Sequence, residues 1–276
     1  MMLRDKIKDE LYFNEVSHKV KSALIDEKRV TRFDESTSLM TYYDFANGLY
    51  NYIFIAYSAG TKLFELVVPC GEMLDLYTKS IDTKIDYSDG GDIIYTELLN
   101  MVSMGLLLNR EKELLKLSTV LHGVGFKDHV IDFLLKSMSS SGNVEERLMW
   151  PDDVVYKKLI EIINSDKSNA ESEMRNYLQS YFYTQDNLED QYDIHKKAGR
   201  VYKGYWSFDS AAIVKVMRLD DSTFKDSPYY PVDMLYEEQV APEGHTSLSF
   251  LVNNNSSENE TDVGQPALKP KKWWQF

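Results

Sequence analysis

Apolar residues recur along most of this chain at steps of three and four, and alternating strand patterns bounded by hairpin turns are nearly absent. That periodicity commits the backbone to helices, because residues three and four apart share one helical face. Leu3, Ile7 and Leu11, then Val16, Val20 and Leu24, step by four and predict one long amphipathic helix. Tyr42 to Tyr57 is an aromatic segment expected to form a helix buried on two sides. Leu63 to Tyr77 predicts another, with Pro69 and Gly71 expected to bend or interrupt it. Gly90-Gly91 opens a turn before a central helix from Ile93 to Leu108, and two shorter helices follow around Leu114 to Leu121 and Val130 to Leu134. The expected fold class is all-α, with packed antiparallel helices.

Ser139-Ser140-Ser141-Gly142-Asn143 reads as a connection. It divides an N-terminal helical part, 1–138, from a C-terminal helical part, 144–236. In the second part Trp150-Pro151-Asp152 precedes a helix whose Val155, Leu159, Ile162 and Ile163 share a face. Ser168 and Glu171 have capping-box spacing and are expected to start the next helix. A further helix is expected from about Leu188 to Val201. Residues 237–276 are expected to form a largely disordered tail, since Asn253 to Gln265 is too polar to bury a core. The tail closes on Lys269, Lys271, Lys272, Trp273 and Trp274, expected to be disordered or docked on its own domain.

The residues from Tyr202 to Leu235 have a distinctive order. Ser207 is placed to cap a helix and Asp209 lies in its first turn, where negative charge is favourable. Ala211, Ala212, Ile213, Val214, Val216 and Met217 make that helix apolar on most sides. Asp220-Asp221-Ser222 ends it through local side-chain hydrogen bonds, Pro228 prevents continuation, and Pro231 suits the start of another short helix.

Gly204-Tyr205-Trp206-Ser207-Phe208, Ala211-Ala212, Asp220-Asp221-Ser222, Lys225-Asp226 and Tyr229-Tyr230-Pro231, then Asp233, resemble the C-terminal signature of the PoNi family. Those are immunity proteins that neutralise PoNe-type DNase toxins in bacterial competition. Asp209 stands where the family more often has Glu. The resemblance covers the C-terminal part; the N-terminal half matches only in its acidic, aromatic, helical character. It implies a cognate nuclease toxin as protein partner, with no catalysis, cofactor or small-molecule substrate. Asp220-Asp221 and the aromatics Trp206, Tyr229 and Tyr230 read first as structural, and second as toxin contacts.

The net charge is −13 over 276 residues. An acidic chain is unsuited to direct nucleic-acid binding, and complementary to a basic partner. The same charge also serves plain solubility. Two acidic segments are the expected toxin-facing residues: Asp82, Asp86, Asp89 and Asp92, with only Lys84 opposing, and Asp186, Glu189, Asp190 and Asp193. Cys70 is the single cysteine, which excludes an internal disulfide. The longest apolar run, around Leu49 to Ala59, is short of the ~20 residues of a membrane span. No secretory signal is visible, so a cytoplasmic location is expected.

Two other readings remain. One is a helical scaffold or adaptor with no toxin partner, which shares the composition but gives no reason for the signature. The other is an enzyme using His122, Asp128, His129 and Asp132, the only local cluster suited to a metal. No HExxH motif accompanies it, and Gly123 and Gly125 interrupt a common face, so no metal site is expected. Phosphate-cradling loops and serine elbows are likewise not found.

Overall fold

The structure, a computed structural model, describes residues 3–30, 33–34, 36–138, 149–151, 153–237 and 239. Among them every regular element is helical: α1 Glu10–Val30, α2 Leu39–Ser58, α3 Leu63–Ser80, α4 Tyr95–Leu107, α5 Glu111–Gly123, α6 His129–Lys136, α7 Val154–Asn164, α8 Lys167–Ser180, α9 Gln185–Leu188, α10 Phe208–Met217 and α11 Asp233–Tyr236. Two 3-10 turns, Glu189–Gln191 and Ile194–Lys196, follow α9. The expected connection at 139–143 and the tail beyond 239 lie outside the described residues.

Helix starts are fixed by side chains that satisfy the first free N–H groups. Ser38 accepts from Thr41 N, Asp128 from Val130 N and Ile131 N, and Asp153 from Val155 N and Tyr156 N. Asp166 starts α8, accepting from Asn169 N. This moves the helix start away from the expected Ser168–Glu171 capping box. Glu171 instead accepts from Asp220 N at 2.8 Å, tying α8 to the turn after α10.

Three other expectations are adjusted. The N-terminal helix begins at Glu10 because Asp5 Oδ1 takes the N–H groups of Ile7 and Lys8, closing a separate turn. Its buried anchors are Phe13 and Leu24, whereas Leu11 is 68% exposed. Pro69 does not interrupt α3, which runs unbroken through it. The helix expected over 188–201 is replaced by α9 and the two 3-10 turns. Glu189, with φ +46°, closes α9, and Asp193, with φ +54°, separates the two 3-10 turns, so no continuous helix forms.

One apolar cluster runs through the described residues, from Phe13 to Met234. Its N-terminal portion pairs α2 with α3 and lays α1 across α2. Helix α10 is central: Phe208 to Val214 are all buried, and α4, α6, α7 and α8 pack around it. Phe208 meets Phe54 and Tyr57 of α2 edge-on, at ring distances of 4.9 and 5.4 Å. Lys215 then reaches back to α4, donating to Leu106 O and Asn109 Oδ1, both at 2.7 Å. A cation at the C-terminal end of α4 offsets the partial negative charge there.

Several carboxylates in this core accept from tyrosine hydroxyls. Tyr95 donates to Asp128 at 2.8 Å, Tyr177 to Asp209 at 2.8 Å and Tyr202 to Asp5 at 2.6 Å. Asp221 accepts from Tyr230 at 3.2 Å and Tyr236 at 2.8 Å. Asp233 accepts from Tyr57 and from the Arg4 guanidinium, which also lies 4.5 Å over the Tyr57 ring. Asp233→Ala leaves two part-buried donors without their acceptor and should cost about 2–3 kcal/mol. Urea midpoints measure this, with exposed Asp226→Ala as the control, expected within about 0.5 kcal/mol of wild type.

Candidate partner-binding cleft

The segment from Lys203 to Trp206 lies outside the helices and is fixed instead by α2. Ser58, fully buried at the end of α2, donates through Oγ to Lys203 O at 2.7 Å. The same hydroxyl accepts from Trp206 Nε1 at 2.8 Å. This close approach needs Gly204, which has φ +106°. A Cβ there would collide with the Ser58 hydroxyl and come within 2.6 Å of Trp206 Nε1. Trp206 is 7% exposed and stands edge-on to Tyr57 at 5.0 Å.

The other signature residues also make intramolecular contacts. The Tyr205 hydroxyl lies 2.9 Å from His195 Nδ1, and Tyr205 packs with Tyr183, Tyr202 and Tyr229. Tyr229 stacks on Tyr183 at 4.8 Å, while its carbonyl accepts from Ser207 N at 2.9 Å. Ser207 precedes α10, as expected, but its hydroxyl donates to Asp209 Oδ1 at 2.6 Å and makes no capping bond to a backbone N–H. Asp220 is exposed and accepts from Ser222 N, whereas Asp221 is buried beneath Tyr230 and Tyr236. Pro231 is buried, and its carbonyl accepts from Met234 N as α11 begins.

Where Lys203 to Trp206 passes α2 and α4, a cleft of about 250 Å³ opens. Tyr50 and Phe54 of α2, Tyr156 of α7, Tyr177 of α8 and Trp206 supply aromatic walls. Glu97 of α4 and Asp209 of α10 supply carboxylates inside, and Glu189 and Asp190 supply two more from the 3-10 turn at the mouth. Burial raises the pKa of both Glu97 and Asp209 above the usual carboxylate range, against hydroxyl donors that act to lower it. Tyr43 is the donor to Glu97, at 2.7 Å.

Lys203 is the basic residue of this lining among the described residues. Its ammonium sits 4.4 Å from the Tyr50 ring centre and 4.9 Å from that of Phe54, and donates to Asn51 Oδ1 at 3.1 Å. Desolvation pushes its pKa down to about 8, with Glu97 opposing that shift. Cys70 is buried and its thiol is pushed up to about 12, which keeps it protonated and unreactive at neutral pH.

The two expected acidic segments are not brought together. Asp82, Asp86 and Asp89 accept from the backbone N–H groups of Lys84, Ser88 and Gly91, shaping the turns before α4. Asp86, Asp89 and Asp92 are exposed, beside the junction of α5 and α6, where Tyr87 N donates to Val124 O at 2.7 Å. In the second segment Asp186, Glu189 and Asp190 are exposed, and two of them reach the cleft mouth. Asp193 instead joins Tyr183 and Lys196 at 2.8 and 2.9 Å. The cleft residues Glu97 and Lys203 were missed by sequence reasoning, since each is a single charge in a helical or connecting segment.

The alternative catalytic cluster is taken up largely by structure. Asp128 spends both oxygens on Tyr95 and three backbone N–H groups, including Met149 N at 3.0 Å. His122 Nε2 lies 3.2 Å from Asp132 Oδ1. Among the described residues no group of three or more His, Cys, Asp or Glu is placed to hold a metal ion. Nor is any described helix long and apolar enough to cross a membrane.

Two changes probe the site. Trp206→Ala should cost about 3–5 kcal/mol, as deletion of a buried large aromatic does, and is read from denaturant midpoints. For Lys203, the folded pKa of about 8 lies below the ~10.4 of an exposed lysine. The folded state therefore loses this proton first. The cost of burying the charge applies in full below pH 8 and is relieved as pH rises toward about 10.4. Lys203→Met should thus gain stability over wild type at pH 7 and gain less at pH 9.5. Equal differences at both pH values would contradict a desolvated ammonium.

Among curated proteins none is similar in sequence. The fold is shared with a solved structure, described as the crystal structure of protein PA2201 from Pseudomonas aeruginosa. That similarity has a TM-score of 0.64 at 17% identity and covers 84% of this chain and 90% of the other. Residues 126–234 match the family described as PoNe immunity proteins (PoNi), C-terminal. The match contains every signature residue from Gly204 to Asp233, including the glycine, tryptophan and carboxylates described above. Residues 126–234 are therefore similar to the C-terminal region of the PoNe immunity proteins, the PoNi family.

Proposed function

We propose that this protein binds a cognate PoNe-type nuclease toxin stoichiometrically and blocks its access to DNA. Similarity to the PoNi family implies an immunity protein acting against such toxins, and the match over 126–234 is the observation that carries the reading. The net charge of −13 supports it, because a nuclease needs a basic surface to hold phosphates and an acidic inhibitor is drawn to that surface. The mode of action is occupation: the acidic face competes with DNA for the basic cleft, and the inhibitor performs no chemistry. Such a protein acts in the cytoplasm, where the toxin meets its target.

Of the two acidic segments, the one holding Asp186, Glu189 and Asp190 is favoured as toxin-facing, because Glu189 and Asp190 flank a concave aromatic surface. Asp86, Asp89 and Asp92 add to the field without bordering that concavity.

Co-expression with the nuclease encoded beside this gene should rescue growth, and the two purified proteins should form a 1:1 complex with no residual DNase activity. Complete protection with no detectable complex would overturn inhibition by binding. Association should slow as salt rises from 0.1 to 1 M, where the Debye length falls from about 10 to about 3 Å. Stopped-flow association rates across that series provide the measurement, and a rate independent of salt would remove electrostatic steering.

A further inference from the structure

We infer that the cleft beside Lys203 receives one basic side chain, an arginine or lysine, from the protein partner. This deepens the toxin-binding reading and rests on it.

The chemistry of the lining selects the ligand. Aromatic faces attract cations through their quadrupole and also pack against the methylene stem of a basic side chain. Carboxylates at the mouth and inside accept the N–H groups of its head. An anion or phosphate would meet Glu97, Glu189, Asp190 and Asp209 in the lining against the one cation of Lys203.

The structure already holds a cation of this class. Lys203 Nζ lies 4.4 Å from Tyr50 and 4.9 Å from Phe54, so the wall binds an ammonium supplied by the protein itself. That single cation does not balance the lining, which includes Glu97, Asp209, Glu189 and Asp190. Asp209 accepts from the hydroxyls of Ser207 and Tyr177, and Glu97 from that of Tyr43, all neutral donors. Burial raises the pKa of both groups, with Lys203 opposing this at Glu97 alone, and an entering ammonium or guanidinium would lower both.

Size agrees with one side chain and not with a larger ligand. The volume of about 250 Å³ admits a guanidinium with its stem, and is below the ~300–1,000 Å³ of drug-sized ligand pockets. Glu189 and Asp190 are exposed at the entrance, where the incoming charge is met before it loses its water. Lys203 then sets a limit: as a like charge within the same lining, it weakens capture of a second cation.

The full chain is titrated with n-butylguanidinium while the indole N–H resonance of Trp206 is followed by NMR, and in parallel with the adjacent-gene nuclease by calorimetry. Wild type should show a saturable shift of that resonance. Combining Glu189→Gln with Asp190→Asn should weaken both ligands at least about fivefold, the loss of a charge-assisted hydrogen bond. Lys203→Met should tighten both by a similar factor, which a purely structural lysine would not do. Unchanged nuclease affinity in the folded variants overturns the cleft as its contact while leaving toxin inhibition standing. A saturable guanidinium shift with no nuclease binding by wild type keeps the cation site and overturns the toxin reading. No guanidinium shift, with nuclease bound equally by all variants, overturns the inference outright.

Discussion

The hydroxyl of Ser58 is where three distant stretches of this chain are joined. Through Oγ it holds Lys203 O and Trp206 Nε1. Its carbonyl accepts from Arg4 N and Asp5 N, both at 3.2 Å. A buried residue with one small side chain thereby fixes the N-terminal segment, the end of α2 and the approach to α10. Phe208 can enter between Phe54 and Tyr57 only because the preceding backbone has been pinned in this way. The cleft follows from the same constraint, since the pinned segment forms one of its walls.

Around that node, pairs of tyrosine and aspartate replace most of the buried ion pairs that a charged core would otherwise need. A hydroxyl satisfies a carboxylate without bringing a second charge out of water, which avoids much of the desolvation cost of an interior salt bridge. The pairs also demand geometry. Tyr12 and Tyr202 show this without any carboxylate: the Tyr12 hydroxyl accepts from Tyr202 N at 2.7 Å and donates to Tyr202 O at 3.0 Å. Such contacts set the register of segments that lack helical hydrogen bonds.

Much of this was legible in the sequence, for physical reasons that differ by element. The helices α2, α4 and α10 are apolar on most sides, and a run of that kind has few alternatives to burial inside a helical protein. The start of α8 was misplaced by two residues because Asp166 and Ser168 both have capping side chains, and the choice depends on tertiary contacts such as Glu171 with Asp220 N. The segment 188–201 carries helix-forming residues, yet Glu189 and Asp193 adopt left-handed backbone there, which no local pattern announces. The cleft was illegible because Glu97 and Lys203 lie 106 positions apart, brought to one cleft only by folding. Their roles come from neighbours such as Tyr43 and Asn51, which no spacing rule connects to either.

The mouth of the cleft is carried on short turns, while its walls belong to helices locked into the core. Residues 185–201 rest on α9, two 3-10 turns and extended backbone, with Ile194 their one buried apolar side chain. Few interior contacts depend on the identity of Asp186, Glu189 or Asp190, so these positions can diverge without unfolding the protein. Gly204, Trp206 and Ser58 have no such latitude. A fold built this way can keep one scaffold while its rim varies, each new lock cut on the same blank.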